Sequence, residues 1–396
     1  MGIETGGWLT WAEVDLDAIA ANVRAMKRWV GDPVEVIAVV KADAYGHGAA
    51  PVARAALQAG AARLAVHRLA EGVALRQAGI EAPILILAPL LPEEAPAVLR
   101  WQLTPTVSLP EAAEALDGIA RAAGQVVPVH LEVDTGMGRA GLRPEEAVPL
   151  ARALQGMVGL RLEGLYTHFA TADEPDPSFV RAQLRRFEEV LAALTAAGIR
   201  IPLRHVCNSA AAMRFPEAHF EAVRPGLALY GMRPSLAWEP PFPLRPALSW
   251  KSRILRVWTL RPGESVGYGR TFVAPREMRA ALVAVGYGDG YLRSLSNRGA
   301  VLIRRRRAPV LGRVSMDQIV VDVTGIPGVT VGEEVVLIGA QGGAVITAEE
   351  VAAWAGTINY EITTRISARV PRLYRAQGEV REMALPAEGM GAPAGF

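Results

Sequence analysis

The chain has a single cysteine, Cys207, among its 396 residues, so it cannot form an intrachain disulfide bond. Its 42 basic and 40 acidic side chains nearly balance, and a formal net charge of +2 supplies no excess potential for a phosphate backbone. No uninterrupted apolar run reaches the roughly 18 residues of a membrane helix. We therefore expect a protein that binds neither nucleic acid nor a membrane.

The start of the chain, MGIETGGWLTWAEVDLD, has neither the basic segment nor the apolar core of a secretory signal. Together with the lone cysteine, this predicts a cytoplasmic protein. Hydrophobic residues make up 51% of the chain and charged residues 21%, which is enough apolar surface for large cores and excludes disorder for most of the length. At about 150 residues per domain, the length predicts two or three domains.

Lysine is also scarce, because only Lys27, Lys41 and Lys251 are lysines among the 42 basic residues. Arginine stays protonated and does not act as an amine nucleophile, so any imine chemistry has three candidates. Lys27 lies in a helical pattern and Lys251 in an alternating strand pattern, which favours surface positions for both. Lys41 directly follows the apolar run VIAVV, and we predict that it is the functional lysine.

Short apolar runs alternate with amphipathic stretches over the first part of the chain, a pattern typical of repeated β-α units. Eight strands are predicted, at residues 36–40, 62–66, 84–87, 103–107, 126–133, 160–168, 203–208 and 221–226. Eight such units favour a TIM (β/α)8 barrel over an open doubly wound sheet, and we place this domain at residues 12–240.

The pattern changes after the proline-rich stretch at residues 234–246. The following runs are short, β-branched and separated by glycine and proline, which indicates a mainly β domain. We place this C-terminal domain at residues 247–385 and expect residues 1–11 to join it. The predicted fold class is therefore α/β, with a TIM barrel followed by a mainly β domain.

Polar residues follow several predicted barrel strands, and catalytic groups of TIM barrels lie at such strand ends. These residues are Arg139, His168, Asn208, Ser209 and Arg224. Ser209 and the RPG turn that begins at Arg224 could present a hydroxyl and backbone N–H groups to a phosphate. His168 has two open interpretations, a functional histidine or a buried one that satisfies a backbone carbonyl.

Two further patterns resemble those of a dinucleotide-binding site and of a metal site. Gly136, Gly138 and Gly141 spell G-x-G-x-x-G, with Glu163 about 20 residues later, as in a dinucleotide-binding fingerprint. Glu163 lies inside a predicted strand rather than at its end, which disfavours that interpretation. His205 and Cys207 are two residues apart on a predicted strand and so share one face, as two ligands of a metal ion would. No convincing third ligand accompanies them, and we predict no metal site.

Nine segments in order carry a family resemblance: VVKADAYGHG, DTGMGR, YTHFATAD, NSAA, RPGLALYG, VGYGRT, GYGDGY, GRVSMDQ and INYEI. Over about residues 12–372 the chain resembles the alanine racemases, pyridoxal-phosphate enzymes that interconvert L- and D-alanine. The resemblance implies a barrel plus β-domain fold and a head-to-tail homodimer whose active sites are shared. It also implies alanine as the small-molecule substrate.

The resemblance assigns roles to individual residues. Lys41 would hold the cofactor covalently and act as the base on one face of the substrate, and Tyr268 of the partner subunit would be the opposite base. Arg224 would bond the pyridine nitrogen, and because its guanidinium keeps its proton, the ring would withdraw electrons weakly and transamination would be suppressed. The other implied cofactor-binding residues are Tyr45, His168, Asn208, Ser209, Gly226, Leu227 and Tyr360.

Other residues would bind the substrate or support the site. Arg139 and the backbone of Met316 would meet the substrate carboxylate, and His168 would bond Tyr268. Tyr287 would line the entry, and Asp317 follows Met316 in the same motif.

The chain departs from many family members at two positions. Glu132 stands where they carry a lysine modified to a carbamate, and we expect it to give Arg139 a permanent anionic partner. Ser315 stands where they often have cysteine, which affects only the expected sensitivity to thiol reagents.

Alternative functions stay open at this point. The same fold and cofactor serve racemases of serine, lysine or broad substrate range, and related metal-assisted aldolases or dehydratases. A non-catalytic pyridoxal-phosphate carrier is disfavoured because such proteins lack the β domain that contains Tyr268.

Overall fold

A computed structural model describes residues 7–385 of the chain. The chain forms two compact units, one made of Ile19–Ala44 and Val52–Arg245, the other of the segment up to Ala18, Tyr45–Pro51 and the segment from Pro246 on. The predicted barrel boundary at residue 12 falls inside a strand, Thr10–Asp15, that pairs with strands of the second unit. The boundary therefore moves beyond this strand, and residues 1–6 of the predicted 1–11 connection lie outside the described residues.

The first unit contains the eight predicted parallel strands in one sheet, whose hydrogen-bonded order is β8-β7-β6-β5-β4-β3-β2-β9. The first of them, β2, pairs in parallel with both β3 and β9, so the sheet curls into a nearly closed barrel. The strands are β2 (Glu35–Val39), β3 (Arg63–Val66), β4 (Ile84–Pro89), β5 (Thr104–Thr106), β6 (Val127–Glu132), β7 (Leu160–Tyr166), β8 (Leu203–His205) and β9 (Ala222–Val223). The predicted barrel is confirmed.

Helices precede or connect these strands. In α6, Pro110 occupies the first turn as expected, and Ala112, Leu116 and Ala120 repeat at a spacing of four residues to form a buried face. The helices are α1 (Leu16–Val30), α2 (Lys41–Tyr45), α3 (Ala49–Gln58), α4 (Leu69–Gln77), α5 (Ala95–Arg100), α6 (Pro110–Ala122), α7 (Ala147–Gln155), α8 (Ser178–Ala196) and α9 (Ser209–Arg214).

The second unit is mainly β, as predicted. Its strands are β1 (Thr10–Asp15), β10 (Leu248–Leu260), β11 (Ser265–Val266), β12 (Phe272–Val273), β13 (Met278–Val283), β14 (Ala300–Ile303), β15 (Arg306–Leu311), β16 (Ile319–Asp322), β17 (Glu334–Gln341), β18 (Ala344–Ile346), β19 (Arg372–Ala376) and β20 (Glu379–Ala384). Two helices, α10 (Ala348–Ala355) and α11 (Asn359–Thr364), precede β19.

The long strand β10 organises this unit. Its sequence LSWKSRILRVWTL alternates apolar and polar residues, which buries Trp250 and Ile254 on one face. Its first half pairs with β17 and its second half with β13, with a change of register at Ile254. Because β13, β16, β15, β14 and β17 pair in turn, this double pairing closes a ring of six strands around an aliphatic core.

Among residues 7–385, no helix combines the length and the apolar character that a membrane crossing requires.

Candidate active site

Lys41 lies just beyond the carboxyl end of β2, in the barrel unit. Burial, and then the positive charge of Arg139, lowers the pKa of the Lys41 ammonium group from its ordinary value. Glu71 opposes this change, whereas Arg224 adds to it. The neutral amine is the nucleophilic form, so these neighbours make Lys41 the kind of lysine that attacks a carbonyl group.

The turn that follows Lys41 is left-handed. Ala42, Asp43 and Ala44 have φ near +52° and ψ near +50°, and Tyr45 continues with φ of 55°. The left-handed helical conformation costs an L-residue about 1–2 kcal/mol, and it normally occurs at single residues. A run of four therefore stores strain beside the predicted catalytic lysine.

Glu71 holds this turn from one side. One carboxylate oxygen accepts a hydrogen bond from the Ala42 N–H at 2.6 Å, while the other accepts from the N–H groups of His67 and Arg68 at 2.8 and 2.9 Å. The same side chain thus caps α4 and fixes the first residue of the strained turn. No local sequence pattern indicates this role, because Glu71 resembles any acidic residue in the first turn of a helix.

The other two lysines, for which surface positions were predicted, are half-buried and make structural contacts. Lys27 donates to the carbonyls of Asp32 and Val34 at 3.0 and 2.8 Å beyond the end of α1. Lys251 lies between Glu13 and Glu334, at 3.1 and 3.2 Å.

Arg224 follows β9 and is buried, with 3% of its surface exposed. Its Nη1 donates to the carbonyl and to Nδ1 of His205 at 2.5 and 2.7 Å, and its Nη2 donates to the Thr167 carbonyl at 2.7 Å. The guanidinium carbon lies 4.9 Å from the centre of the Tyr166 ring. Within residues 7–385 no acceptor meets the Nε–H of Arg224, so this donor remains for a bound molecule.

The DTGMGR segment wraps its backbone around an aspartate. The carboxylate of Asp134 accepts hydrogen bonds of 2.8–3.1 Å from the N–H groups of Gly136, Met137 and Gly138. Although burial opposes it, these backbone bonds lower the pKa of Asp134. The glycine N–H groups are therefore already occupied by a side chain of this chain, which removes the dinucleotide interpretation, and the segment ends on the exposed Arg139.

Glu132, the last residue of β6, is buried and accepts a weak hydrogen bond from the Tyr166 hydroxyl at 3.4 Å. Burial raises the pKa of its carboxyl group, while the charges of Arg224 and Arg139 act in the opposite direction. No ion pair joins Glu132 to Arg139 in the described part of the chain. The expected direct pairing is thus replaced by a longer-range attraction between the two groups.

His168 lies two residues beyond β7 and faces the same cations. Burial, followed by the charges of Arg224, Arg139 and Lys41, lowers the pKa of His168 to about 3. Its ring is therefore neutral at physiological pH, and its Nδ1 lies 3.4 Å from Nη2 of Arg224. A neutral imidazole can accept one hydrogen bond and donate another.

Ser209 and Gly226 are brought together as predicted. The Ser209 hydroxyl oxygen accepts from the N–H groups of Gly226 and Ala228 at 2.9 and 3.2 Å, and Leu227 lies between those two residues. Asn208 has a further structural role, because its side chain accepts the Ala211 N–H at 3.0 Å and caps α9. Ser209 thus satisfies two backbone N–H groups of this turn and keeps its own hydroxyl proton to donate at the mouth of the barrel unit.

The remaining predicted residues belong to the second unit. The rings of Tyr45 and Tyr360 are tilted by 43° with their centres 6.0 Å apart. Burial raises the pKa of the Tyr45 hydroxyl far above its ordinary value, so it stays protonated. Tyr268 lies in a turn between β11 and β12, flanked by Gly267 and Gly269 at positive φ, and 71% of its surface is exposed.

Tyr287, Met316 and Asp317 lie on adjacent loops of this unit. The Tyr287 N–H donates to the Ser315 carbonyl at 3.0 Å, and the next N–H, of Gly288, donates to the Met316 carbonyl at 2.8 Å. Asp317 pairs with Arg369 at 2.8 Å. Tyr287 and Met316 are exposed.

Comparison with known sequences identifies the family. The sequence profile of the alanine racemase N-terminal domain matches residues 14–234, and that of the alanine racemase C-terminal domain matches residues 247–374. The chain belongs to the alanine racemase family. An alanine racemase of Symbiobacterium thermophilum is 51% identical, and one of Halothermothrix orenii is 47% identical, each over 92% of this chain and 97% of its own length.

Solved structures of the alanine racemase family have the same fold. The crystal structure of alanine racemase from Bacillus anthracis with bound L-Ala-P superposes with a TM-score of 0.88 at 42% identity, covering 95% of this chain and 97% of that one. The alanine racemase of Clostridium difficile 630 in complex with cycloserine gives a TM-score of 0.89 at 36% identity, covering 96% and 99%.

The contact between Glu71 and the left-handed turn generates a first prediction. Glu71→Gln turns an amide N–H₂ toward the N–H of Ala42, or toward those of His67 and Arg68, so one or two hydrogen bonds are lost and the free energy of unfolding falls by about 1 kcal/mol. Urea unfolding measures the loss, and hydrogen exchange of the Ala42 amide should accelerate. Glu146→Gln is the matched control, because Glu146 accepts the Arg143 N–H at 2.8 Å at a helix start without touching this turn. Equal losses in both variants, with unchanged Ala42 exchange, would contradict the prediction.

Proposed function

We propose that the protein is a pyridoxal-phosphate-dependent racemase that interconverts L-alanine and D-alanine. The observation that carries the proposal is the position of Lys41 just beyond the carboxyl end of β2, in the unit that also contains Arg224, where burial and Arg139 lower the pKa of its ammonium group. Membership of the alanine racemase family supports the same reaction. The structures of relatives that hold L-Ala-P and cycloserine support an amino-acid substrate of alanine size.

The residues present suit pyridoxal phosphate. Lys41 supplies an amine for the aldehyde, and the free Nε–H of Arg224 suits an unprotonated ring nitrogen. The Ser209 hydroxyl proton and the Leu227 N–H suit a phosphate, and a bound phosphate oxygen would replace the Ser209 oxygen as the acceptor of the Gly226 N–H. The hydroxyl groups of Tyr45 and Tyr360 would complete the phosphate binding. Asn208 would support this phosphate group by holding the start of α9 in place.

The proton chemistry falls to two side chains. An amino-acid α-proton is too weakly acidic for direct removal, and pyridoxal phosphate, when bound, delocalises the charge that develops on the α-carbon. Racemisation then removes a proton from one face of that carbon and delivers one to the other. The Lys41 amine would serve one face, and the Tyr268 hydroxyl of the partner subunit would serve the other.

Several side chains and one backbone group would orient the substrate and the bases. Arg139, exposed at the end of its loop, would bind the substrate carboxylate together with the Met316 backbone, and Glu132 would moderate the positive charge there. The neutral ring of His168 would accept the Tyr268 hydroxyl proton in a hydrogen bond. Tyr287 and Asp317 would line the entry for alanine.

We further propose that the protein acts as a cytoplasmic homodimer. Tyr268, Tyr287 and Met316 are exposed apolar or aromatic residues of the β unit, and a head-to-tail dimer would place them against the partner's barrel mouth. Each active site would then combine Lys41 of one chain with Tyr268 of the other.

The attachment of the cofactor is the first test of the function. Borohydride reduction of the protein loaded with pyridoxal phosphate, followed by peptide mapping, should find the pyridoxyl group on Lys41, since Lys27 and Lys251 are held by carbonyls and carboxylates. The unreduced protein should form D-alanine from L-alanine without added metal. Label on Lys27 or Lys251, or no D-alanine, would overturn the proposal.

Shared active sites predict complementation between two inactive variants. Lys41→Ala and Tyr268→Phe dimers each lack one base at both sites and should racemise poorly. In a mixed dimer one site lacks both bases, and the other has both. Random reassortment makes half of the dimers mixed, so about a quarter of wild-type activity should return. If both bases came from one chain, mixing would restore nothing.

A further inference from the structure

A line of hydrogen bonds runs inward from Arg224 through the interior of the barrel. Nη1 of Arg224 donates to Nδ1 of His205 at 2.7 Å, and Nε2 of His205 lies 2.9 Å from Nδ1 of His130. Nε2 of His130 lies 3.2 Å from a carboxylate oxygen of Glu163. Both histidines are buried. The line therefore joins the predicted cofactor ligand Arg224 to a carboxylate three side chains away.

The residues at the two ends of this line, Arg224 and Glu163, determine which nitrogen of each histidine carries the proton. Arginine can only donate, so Nδ1 of His205 must accept, and its single proton must lie on Nε2. That proton points at Nδ1 of His130, which must accept in turn, so the proton of His130 lies on its own Nε2 and points at Glu163. A ring nitrogen that accepts a hydrogen bond carries no proton, so both rings are neutral, and burial lowers their pKa values in the same sense. Every donor in the line thus points away from Arg224.

Glu163 is held as an acceptor by its other neighbours. The oxygen that faces His130 also accepts from Nη1 of Arg63 at 2.9 Å, and the second oxygen lies 3.4 Å from Nη2 of Arg161. The bond from His130, together with Arg63, lowers the pKa of Glu163 to about 2 although burial opposes this. Glu35 in turn pairs with Arg63 at 2.8 Å. The carboxylate is therefore ionised at physiological pH and cannot donate to His130.

Packing prevents the rings from turning. Residue 164 pairs with His130 in the neighbouring strand, and a Cβ atom on Gly164 would lie 2.5 Å from Nδ1 of that ring. The ring of Tyr166 stacks on His205 with an angle of 13° between planes and 4.9 Å between centres. Each histidine thus has one orientation in which its nitrogens meet their partners.

We propose that Glu163 is a positioning residue for Arg224, because its carboxylate holds His130 and His205 as Nε2–H tautomers and so keeps Nδ1 of His205 as an acceptor for the guanidinium. Without that carboxylate, His130 can place its proton on Nδ1 and force one onto Nδ1 of His205, which would then face Arg224 donor to donor. The guanidinium would lose one of its holding bonds. The effect on cofactor binding rests on the proposed function, whereas the assignment of the two tautomers does not depend on it.

The test uses the full-length protein with its six histidines labelled with ¹⁵N. Long-range ¹H–¹⁵N spectra of the wild type should show His130 and His205, assigned by single substitutions, as neutral Nε2–H tautomers. A proton on Nδ1 of either ring, or a doubly protonated ring, would overturn the proposal without any variant.

Three variants extend the test. Glu163→Met removes the acceptor, so a second His205 tautomer should appear and pyridoxal phosphate should bind about tenfold more weakly, as loss of a charge-assisted bond implies. Glu163→Gln keeps an oxygen acceptor for His130 and should restore the wild-type tautomers and affinity to within a few-fold. Glu35→Gln weakens the ion pair with Arg63 outside the line and should leave the His205 spectrum unchanged.

The outcomes separate the two proposals. If Glu163→Met keeps a single Nε2–H form of His205 and binds the cofactor as the wild type does, Glu163 has no positioning role. If Glu163→Met does not fold, the wild-type spectrum still tests the tautomers on which the proposal depends, and a proton on Nδ1 of His130 or His205 overturns it. A wild-type protein that does not bind pyridoxal phosphate at all would reject the proposed function, while the tautomers would still be read from the spectrum.

Discussion

The barrel mouth depends on one buried charge, the guanidinium of Arg224. An arginine removed from water requires acceptors for its donors, and here they come from the Thr167 and His205 carbonyls, a histidine nitrogen and the face of Tyr166. These groups belong to the ends of β7, β8 and β9, so the charge is satisfied only when these strands keep their relative register. Among residues 7–385, the acceptors around this guanidinium meet Nη1 and Nη2 and leave its Nε–H unpaired.

A second constraint acts at the left-handed turn after Lys41. The turn costs conformational energy at four successive residues, yet it follows a buried parallel strand and is held by the Glu71 carboxylate. Glycine at position 46 is required as the chain leaves this turn, since its φ is 83° and a Cβ atom would lie 2.1 Å from the Thr363 carbonyl oxygen. Strain of this kind persists only where surrounding contacts define the conformation completely.

The sequence predicted the architecture well because periodicity is a local signal. The eight barrel strands and the mainly β unit were confirmed, whereas the assignment of Thr10–Asp15 to the β unit depends on a pairing with β10 more than 200 residues away. Scarcity of lysine singled out Lys41, but no local pattern distinguishes Glu71 or Glu163 from surface acids. Their roles arise from hydrogen bonds to distant residues, as does the separation of Glu132 from Arg139. The G-x-G-x-x-G pattern was disfavoured as a dinucleotide site because Glu163 lies inside a strand, and the N–H groups of Gly136 and Gly138 in fact bind Asp134.

We propose that a permanently protonated Arg224 would keep the ring of bound pyridoxal phosphate a weak electron acceptor. The most direct measurement is the ratio of pyruvate to D-alanine formed from L-alanine by Arg224→Glu, whose buried carboxyl group can share a proton with the ring nitrogen. For Arg224→Glu we expect slower racemisation and a higher ratio of pyruvate to D-alanine. Arg224→Met offers no proton and should slow racemisation without raising that ratio. An unchanged ratio of pyruvate to D-alanine in Arg224→Glu would contradict this role of Arg224.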